Sequence, residues 1–263
     1  MRNDTGAPPR HMLWHLIEDA ITIFRQDASE YAFAGLIGAF AACMSTLVLL
    51  MVGGPIADML AVLLLAIITI ATLATVTEAL RRVTDQLEPS TAESFALVLR
   101  GLPAILLPWA IPTVVVSVAV LLEAEFGHAL PAIARGAIAL CITAGALYAG
   151  FNRVLAVPSL VVRRSTPAAA LREARSIVAH HGSRVAGAWA VCLAPTALLF
   201  LVAALNGFGA VSSAVAALAF AGTMSFAAIV NSLLFFDAAS ESETTTRRGA
   251  ASVAAVRTMR QAR

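Results

Sequence analysis

The sequence predicts an all-α fold: a polytopic membrane helix bundle of about six transmembrane helices, arranged as three hairpins, each preceded by a cytoplasmic amphipathic helix. Three observations predict it. The chain is 59% hydrophobic and only 13% charged, with mean hydropathy +0.84, whereas an ordinary soluble domain is about 25% charged. Its charge is gathered into short stretches, leaving apolar runs of the ~20 residues needed to cross a ~30 Å hydrocarbon core. Its positive charges, all arginine, fall in alternate connections.

The elements follow in order. Ahead of the first span, Leu13, Ile17, Ile21 and Phe24 form an apolar stripe with Trp14 beside it, opposite Glu18, Asp19, Gln26 and Asp27. The first span covers about Tyr31 to Met51 and the second about Ile56 to Ala79, joined by Gly53-Gly54-Pro55. Ser90-Thr91-Ala92-Glu93 has capping-box spacing and opens a surface helix over about 90–100 that carries Phe95 and Leu99. The third span covers about Leu102 to Leu122 and the fourth about Leu130 to Arg153, joined by the acidic turn EAEFGHA. Another surface helix is expected over about 166–182, within RRSTPAAALREARSIVAHHGSR. Thr166 suits its N-cap, Pro167 its first position, and Gly182 a left-handed end with His180 and His181 in the last turn. Leu171, Ala174, Ile177 and Val178 fall on one side of it, and Arg172, Glu173 and Arg175 largely on the other. The fifth span covers about Val185 to Leu205 and the sixth about Ala210 to Phe236, joined by NGFG. Residues 1–30 are thus an N-terminal segment with an amphipathic helix, 31–237 a six-helix membrane domain, and 238–263 a flexible basic tail.

Arginine positions set the orientation. Arg2, Arg10 and Arg25 precede the first span, and Arg81, Arg82 and Arg100 lie between the second and third. Arg153, Arg163, Arg164, Arg172, Arg175 and Arg184 lie between the fourth and fifth, and five more follow the sixth. Only Arg135 falls on the other side. An even number of spans with both termini in the cytoplasm accounts for this, and the expected location is the inner, cytoplasmic membrane of a bacterial cell. The N-terminus lacks the pattern of a cleavable signal, so the first span is expected to stay.

An ungapped alignment of EDAITIFRQDASEYA from Glu18 with REARSIVAHHGSRVA from Arg172 pairs Asp19 with Glu173, Ala20 with Ala174 and Thr22 with Ser176. It also pairs Ile23 with Ile177, Ser29 with Ser183 and Ala32 with Ala186. The pattern reads as a threefold repeat of surface helix and membrane hairpin.

The run LAVPSLVVRRSTPAAALREARSIVAHHGSRVAG resembles the signature of bacterial six-helix integral membrane proteins related to the membrane domain of glycerophosphoryl diester phosphodiesterases. There a proline-containing apolar stretch leads into a surface helix with an "ALR.S" core, then a basic residue and the next span. The close of the sixth span, NSLLFFDAASESE, is similar to that family's aromatic pair, Asp and charged tail. The resemblance covers roughly residues 12 to 240 and departs at Arg163-Arg164, where an acidic residue is more usual, and at Glu173, which interrupts the core. It implies a six-helix membrane domain without the catalytic barrel.

Catalysis has no visible carrier: the sequence contains no HExxH, no GxSxG and no phosphate-binding glycine loop. No catalytic residue, cofactor or metal site is therefore expected. His180-His181 fits a helix cap better than a metal site, because neighbours on a helix point about 100° apart. Cys43, Cys141 and Cys192 lie within spans and suggest no disulfide framework. Nucleic-acid binding would need a basic folded surface with aromatic platforms, and none is present.

Polar groups near or within spans supply the candidate positions. Arg135, one turn past Pro131, is placed to snorkel toward headgroups or to pair with Glu123 or Glu125. Asn152 and Asn231 are expected to hydrogen-bond across helices. Thr69, Thr72 and Thr75 form a mildly polar stripe that fits a packing seam. Arg163, Arg164, Arg172 and Arg175 mark the basic surface helix. Small residues recur at four-residue spacing in Ala34, Gly38 and Ala42, in Ala137, Cys141, Gly145 and Ala149, and in Ala217, Ala221 and Ser225. Pro103, Pro108 and Pro112 crowd the third span and Pro195 interrupts the fifth, so kinks and freed carbonyls are expected.

The expected function is non-enzymatic: binding of membrane lipids, with anionic headgroups favoured by the arginines, or assembly with a membrane-protein partner or a second copy. The alternative is a transporter or permease subunit for a small or amphiphilic compound, resting on the proline-rich third span and Arg135.

Overall fold

In the computed structural model the described residues are 11–126, 129, 131–205 and 222–238, and among them there is no strand. The helices in chain order are α1 (His11–Gln26), α2 (Ala28–Val52), α3 (Pro55–Thr84), α4 (Thr91–Phe126), α5 (Ala132–Phe151), α6 (Ala156–Arg163), α7 (Pro167–Leu205) and α8 (Gly222–Ala238). The NGFG turn, the outer part of the expected sixth span and the tail from 239 on lie outside the described residues.

Among the described residues three stretches are long and apolar enough to cross a membrane: Ala28–Leu49 in α2, Pro55–Thr84 in α3 and Thr91–Leu122 in α4. Much of their apolar surface is uncovered by protein, with Phe40, Met51, Leu107 and Ile111 exposed at 69%, 80%, 60% and 74%. Apolar exposure on this scale suits a lipid surround and not water, which marks the chain as a membrane protein. The turn between α2 and α3 needs its glycines. Gly53 and Gly54 both hold positive φ, at 71° and 91°, and Pro55 then opens α3 with a ring already set for a helix.

Among the described residues the main buried core lies toward the arginine-rich ends of the helices. α3 is the central element, packed against α2, α4 and α6. One core joins Leu16 and Ala20 of α1, Tyr31 of α2, Val76 of α3, Val185 of α7 and Ile229 of α8. The α2–α3 seam is closed by Gly38, where an added Cβ would lie 2.1 Å from Thr72 Oγ1. Thr72 and Thr75 return their hydroxyls to their own helix, donating to Ile68 O and Ala71 O at 2.8 Å each.

Several expected details are corrected. In α1 the covered face is Leu16, Ile17 and Ala20, while Ile21 and Trp14 are exposed. Docking on α2 and α7 covers Leu16 and Ala20, which the apolar stripe does not include. The segment 90–100 is no separate helix but the start of α4, and α7 likewise joins 166–182 to the expected fifth span in one element. Gly182 does not end a helix in the left-handed region; the chain leaves helical geometry at His181 (φ −121°, ψ 24°) and resumes. The stripe on α5 is not a covered seam, since Ala137, Cys141 and Gly145 are exposed. On α8, Ser225 is buried and donates to Tyr31 O at 2.8 Å, whereas Ala217 and Ala221 lie outside the described residues. α6 has no counterpart in the sequence reading.

The repeat gains a structural signature. The ungapped alignment pairs Asp27 with His181, and Asp27 breaks the helix between α1 and α2 at φ −124° and ψ 41°, close to the geometry of His181. Paired positions share their burial, as Ala20 with Ala174 and Tyr31 with Val185 do, and so does Ala34 with Ala188 when the same register is continued by two residues. α1 and α2 therefore correspond to the two halves of α7. α4 carries no comparable break, so this feature is shared by α1–α2 and α7 and not by α4.

Candidate functional site

The arginine-rich end is built around α6. Arg153 lies in the turn after α5, and the chain closes that turn through Arg153 N–H to Gly150 O at 2.9 Å and Ala156 N–H to Arg153 O at 2.8 Å. Residues 154–161 are then buried without interruption. Pro158 is accepted because it sits in the first turn, where N–H groups have no intrahelical acceptor. α6 ends at Arg164, which adopts a left-handed conformation at φ 48° and ψ 36°. That geometry costs a residue with a Cβ about 1–2 kcal/mol.

A polar knot holds this corner. Ser159 donates to Glu173 Oε2 at 2.5 Å, and Arg163 Nη1 reaches Glu173 Oε1 at 2.6 Å. The Ser165 hydroxyl lies 3.0 Å from that of Ser159 and donates to Ser159 O at 3.1 Å. Arg163 also sits over the Phe235 ring, 5.4 Å from its centroid, which ties α6 to α8. Glu173 thereby joins α6 to α7 and is half-buried instead of solvated.

Arg153 makes a contact the sequence reading did not single out. Its Nε donates to Pro108 O at 3.0 Å and its Nη1 to Ala149 O at 2.9 Å. Pro112 has no N–H with which to reach the carbonyl four residues back, so Arg153 satisfies an acceptor that proline freed. Burial, and after it the charge of Arg175, draw the Arg153 pKa below the ordinary arginine value. α4 accordingly continues through Pro103, Pro108 and Pro112 as one helix.

Other ties run around the same end. Glu78 is only 5% exposed and accepts from Arg81 Nε at 2.9 Å and Nη2 at 2.7 Å, while Arg81 Nη1 reaches Asp85 at 2.6 Å. Arg82 meets Glu93 at 2.5 Å, linking α3 to α4. The Glu30 carboxylate accepts from the Thr91 N–H at 2.8 Å, linking α2 to the start of α4. Arg184, which the repeat pairs with Glu30, binds Asp237 at the end of α8.

The candidate positions disperse. Asn231 accepts from Trp189 Nε1 at 3.1 Å, joining α8 to α7. Among the described residues Asn152 makes no bond across helices: it donates to Tyr148 O, 2.9 Å away in its own α5, because it occupies that helix's C-terminal cap where free carbonyls lie nearest. Arg172 and Arg175 are exposed on α7. Arg135 lies in the first turn of α5, with its side chain and that of Glu123 outside the described residues. Arg164 lines a cleft of about 320 Å³ between α3, α4 and α6, together with Glu78 and Ser165. A second cleft of about 460 Å³, almost wholly apolar, opens between α2, α3 and α4. Among the described residues no three His, Cys, Asp or Glu side chains cluster as metal ligands.

No relative was found. Comparison with protein-family models, with curated proteins and with solved structures gave no match.

What the sequence did not reveal is the α6 corner. One signal was available: the largely apolar run from 137 to 162, whose only charged residue is Arg153, is longer than one span requires.

Proposed function

We propose that this chain is a six-span integral protein of the bacterial inner membrane, with both termini cytoplasmic, which binds lipid or assembles with other membrane proteins and catalyses no reaction. The observation that supports it most is the arrangement of the arginine-rich end. Ion pairs close that end in several places, yet beside α6 a cleft remains open between helices, lined by Arg164, Glu78 and Ser165 and by apolar residues of α4 and α6. That arrangement suits the boundary between headgroups and acyl chains, where a cationic tip stays wet and its surroundings do not. The same reading groups the chain with the membrane domain of glycerophosphoryl diester phosphodiesterases, on the motifs at 155–187 and 231–243.

The permease reading rested on a third span broken by prolines. α4 is continuous and the Pro108 carbonyl that Pro112 frees is occupied by Arg153, which weakens the proline argument for a path, while the side chain of Arg135, the other basis of that reading, lies outside the described residues.

Reporter fusions at both termini and at positions 54, 128 and 208 test the topology. The termini are expected to report cytoplasm and the three internal sites the opposite face; ends on opposite faces would refute it. Mass spectrometry of gently extracted protein tests the activity, with retained lipid or a stable partner as the expected outcome. Solute flux through reconstituted protein, with neither lipid nor partner retained, would favour the permease.

A further inference from the structure

We propose that the cleft between α3, α4 and α6 is a binding site for a zwitterionic aminophospholipid, with Arg164 contacting the headgroup phosphate and Glu78 the headgroup ammonium. The proposal rests on the lipid-binding reading above and adds a class of lipid and a place to it.

Charge is the first argument. The expectation from the arginines alone is an anionic headgroup. This cleft, however, also contains a carboxylate, Glu78, facing the same space as Arg164. Glu78 is held by Arg81, which is shared with Asp85. Among the residues lining the cleft, Glu78 and Arg164 carry one charge of each sign, a balance that does not favour a purely anionic ligand. A ligand bearing one charge of each sign satisfies both faces. Each Glu78 oxygen accepts one hydrogen bond from Arg81, and a carboxylate offers about four acceptor sites in all, so capacity remains for an ammonium donor.

Arg164 supplies the second argument. Its neighbour Arg163 is committed to Glu173 and Phe235, whereas Arg164 has no acidic partner among the described residues and is exposed. Its backbone is left-handed between Arg163 and Ser165, both of which are tied into the Ser159 and Glu173 knot. The fold thus maintains a strained conformer whose side chain lines the cleft, without an internal hydrogen bond to account for it. A planar guanidinium is well matched to a phosphate in such a position.

Shape completes the case. Beyond the polar mouth the cleft runs along Val98, Gly101, Ala104 and Ile105 of α4. Gly101 leaves that wall shallow, its nearest neighbour to an added Cβ being Ile105 Cδ1 at 3.8 Å. These positions span about two helical turns, or roughly 10 Å. The polar end is where the interface should be and the apolar end faces into the bilayer, as for the first part of an acyl chain.

The test uses the full-length chain in nanodiscs of phosphatidylethanolamine, phosphatidylglycerol and phosphatidylcholine in equal parts, extracted gently and weighed with its retained lipid. The wild type is expected to keep phosphatidylethanolamine over either competitor by about tenfold, the worth of one charge-assisted hydrogen bond. Arg164→Gln and Gly101→Leu, which remove the phosphate contact and fill the wall, should each lower retention about tenfold, while Arg172→Gln on the exposed face of α7 should not. Glu78→Gln should abolish the preference for the primary ammonium over the methylated headgroup; should that variant not fold, the Arg164 and Gly101 variants still decide. Preferential retention of phosphatidylglycerol by the wild type overturns the proposal, as does retention insensitive to both cleft variants, and both results leave lipid binding intact. No lipid retained by the wild type overturns the proposal and the lipid-binding reading together.

Discussion

Replacing Arg153 by methionine tests whether a carbonyl freed by proline is what fastens the α5–α6 turn to α4. The guanidinium serves Pro108 O at 3.0 Å and Ala149 O at 2.9 Å from a part-buried position. Hydrogen bonds involving a charged group are worth about 1.5–3 kcal/mol each when buried, and partial solvation lowers that, so Arg153→Met should cost about 2 kcal/mol. Methionine retains an unbranched apolar stem, which limits the packing loss. The decisive variant is Pro112→Ala, which restores an N–H directed at Pro108 O. In that background the Pro108 half of the loss is covered, and Arg153→Met should cost about 1 kcal/mol less than in the wild type. Relief of the Arg175 charge is the same in both backgrounds and cancels. The assay is reversible unfolding of all four proteins in bicelles, read as a double-mutant cycle. If the two substitutions add to within about 0.5 kcal/mol, the contact does not do what is argued.

Four further outcomes are expected. Gly38→Ala should lose about 2 kcal/mol by overpacking against Thr72, and Thr72→Ala should restore at least half of it in the same unfolding assay; a silent Gly38→Ala would mean the seam is looser than 2.1 Å implies. Glu173→Gln should speed hydrogen exchange across residues 159–166 while leaving α2 unchanged, because Ser159 and Arg163 lose their charged acceptor. Trp189→Phe should cost about 1 kcal/mol by stranding Asn231, and a matched Asn231→Leu should recover most of that loss, as unfolding midpoints would show. Glu93→Gln should change stability by less than about 0.5 kcal/mol despite its 2.5 Å contact with Arg82, since the carboxylate is 63% exposed; a loss above 1 kcal/mol would contradict this.

The sequence by itself determined the helical class, the positions of the apolar segments and the glycine turn at Gly53-Gly54. It also located the basic segments and, through the alignment of Glu18 with Arg172, the likeness of α1–α2 to α7. These follow from local properties: transfer into lipid is summed along a continuous segment, and a turn in the left-handed region calls for glycine wherever it occurs. Even the His181 break lay at a position the alignment pairs with Asp27. Only the tertiary structure decided which polar groups meet. Arg153 finds Pro108 across 45 residues, Trp189 finds Asn231 across 42, and Ser232 comes within 3.3 Å of Thr77 across 155. It also folded the apolar stretch after Asn152 into a buried corner, turned Leu16 and Ala20 of α1 inward in place of Ile21, and put Arg163 and Arg164 to different uses. Periodicity along a chain records how apolar a face is. A hydrogen bond or a close backbone approach depends on the neighbour across the gap, and that neighbour exists only once the helices have packed.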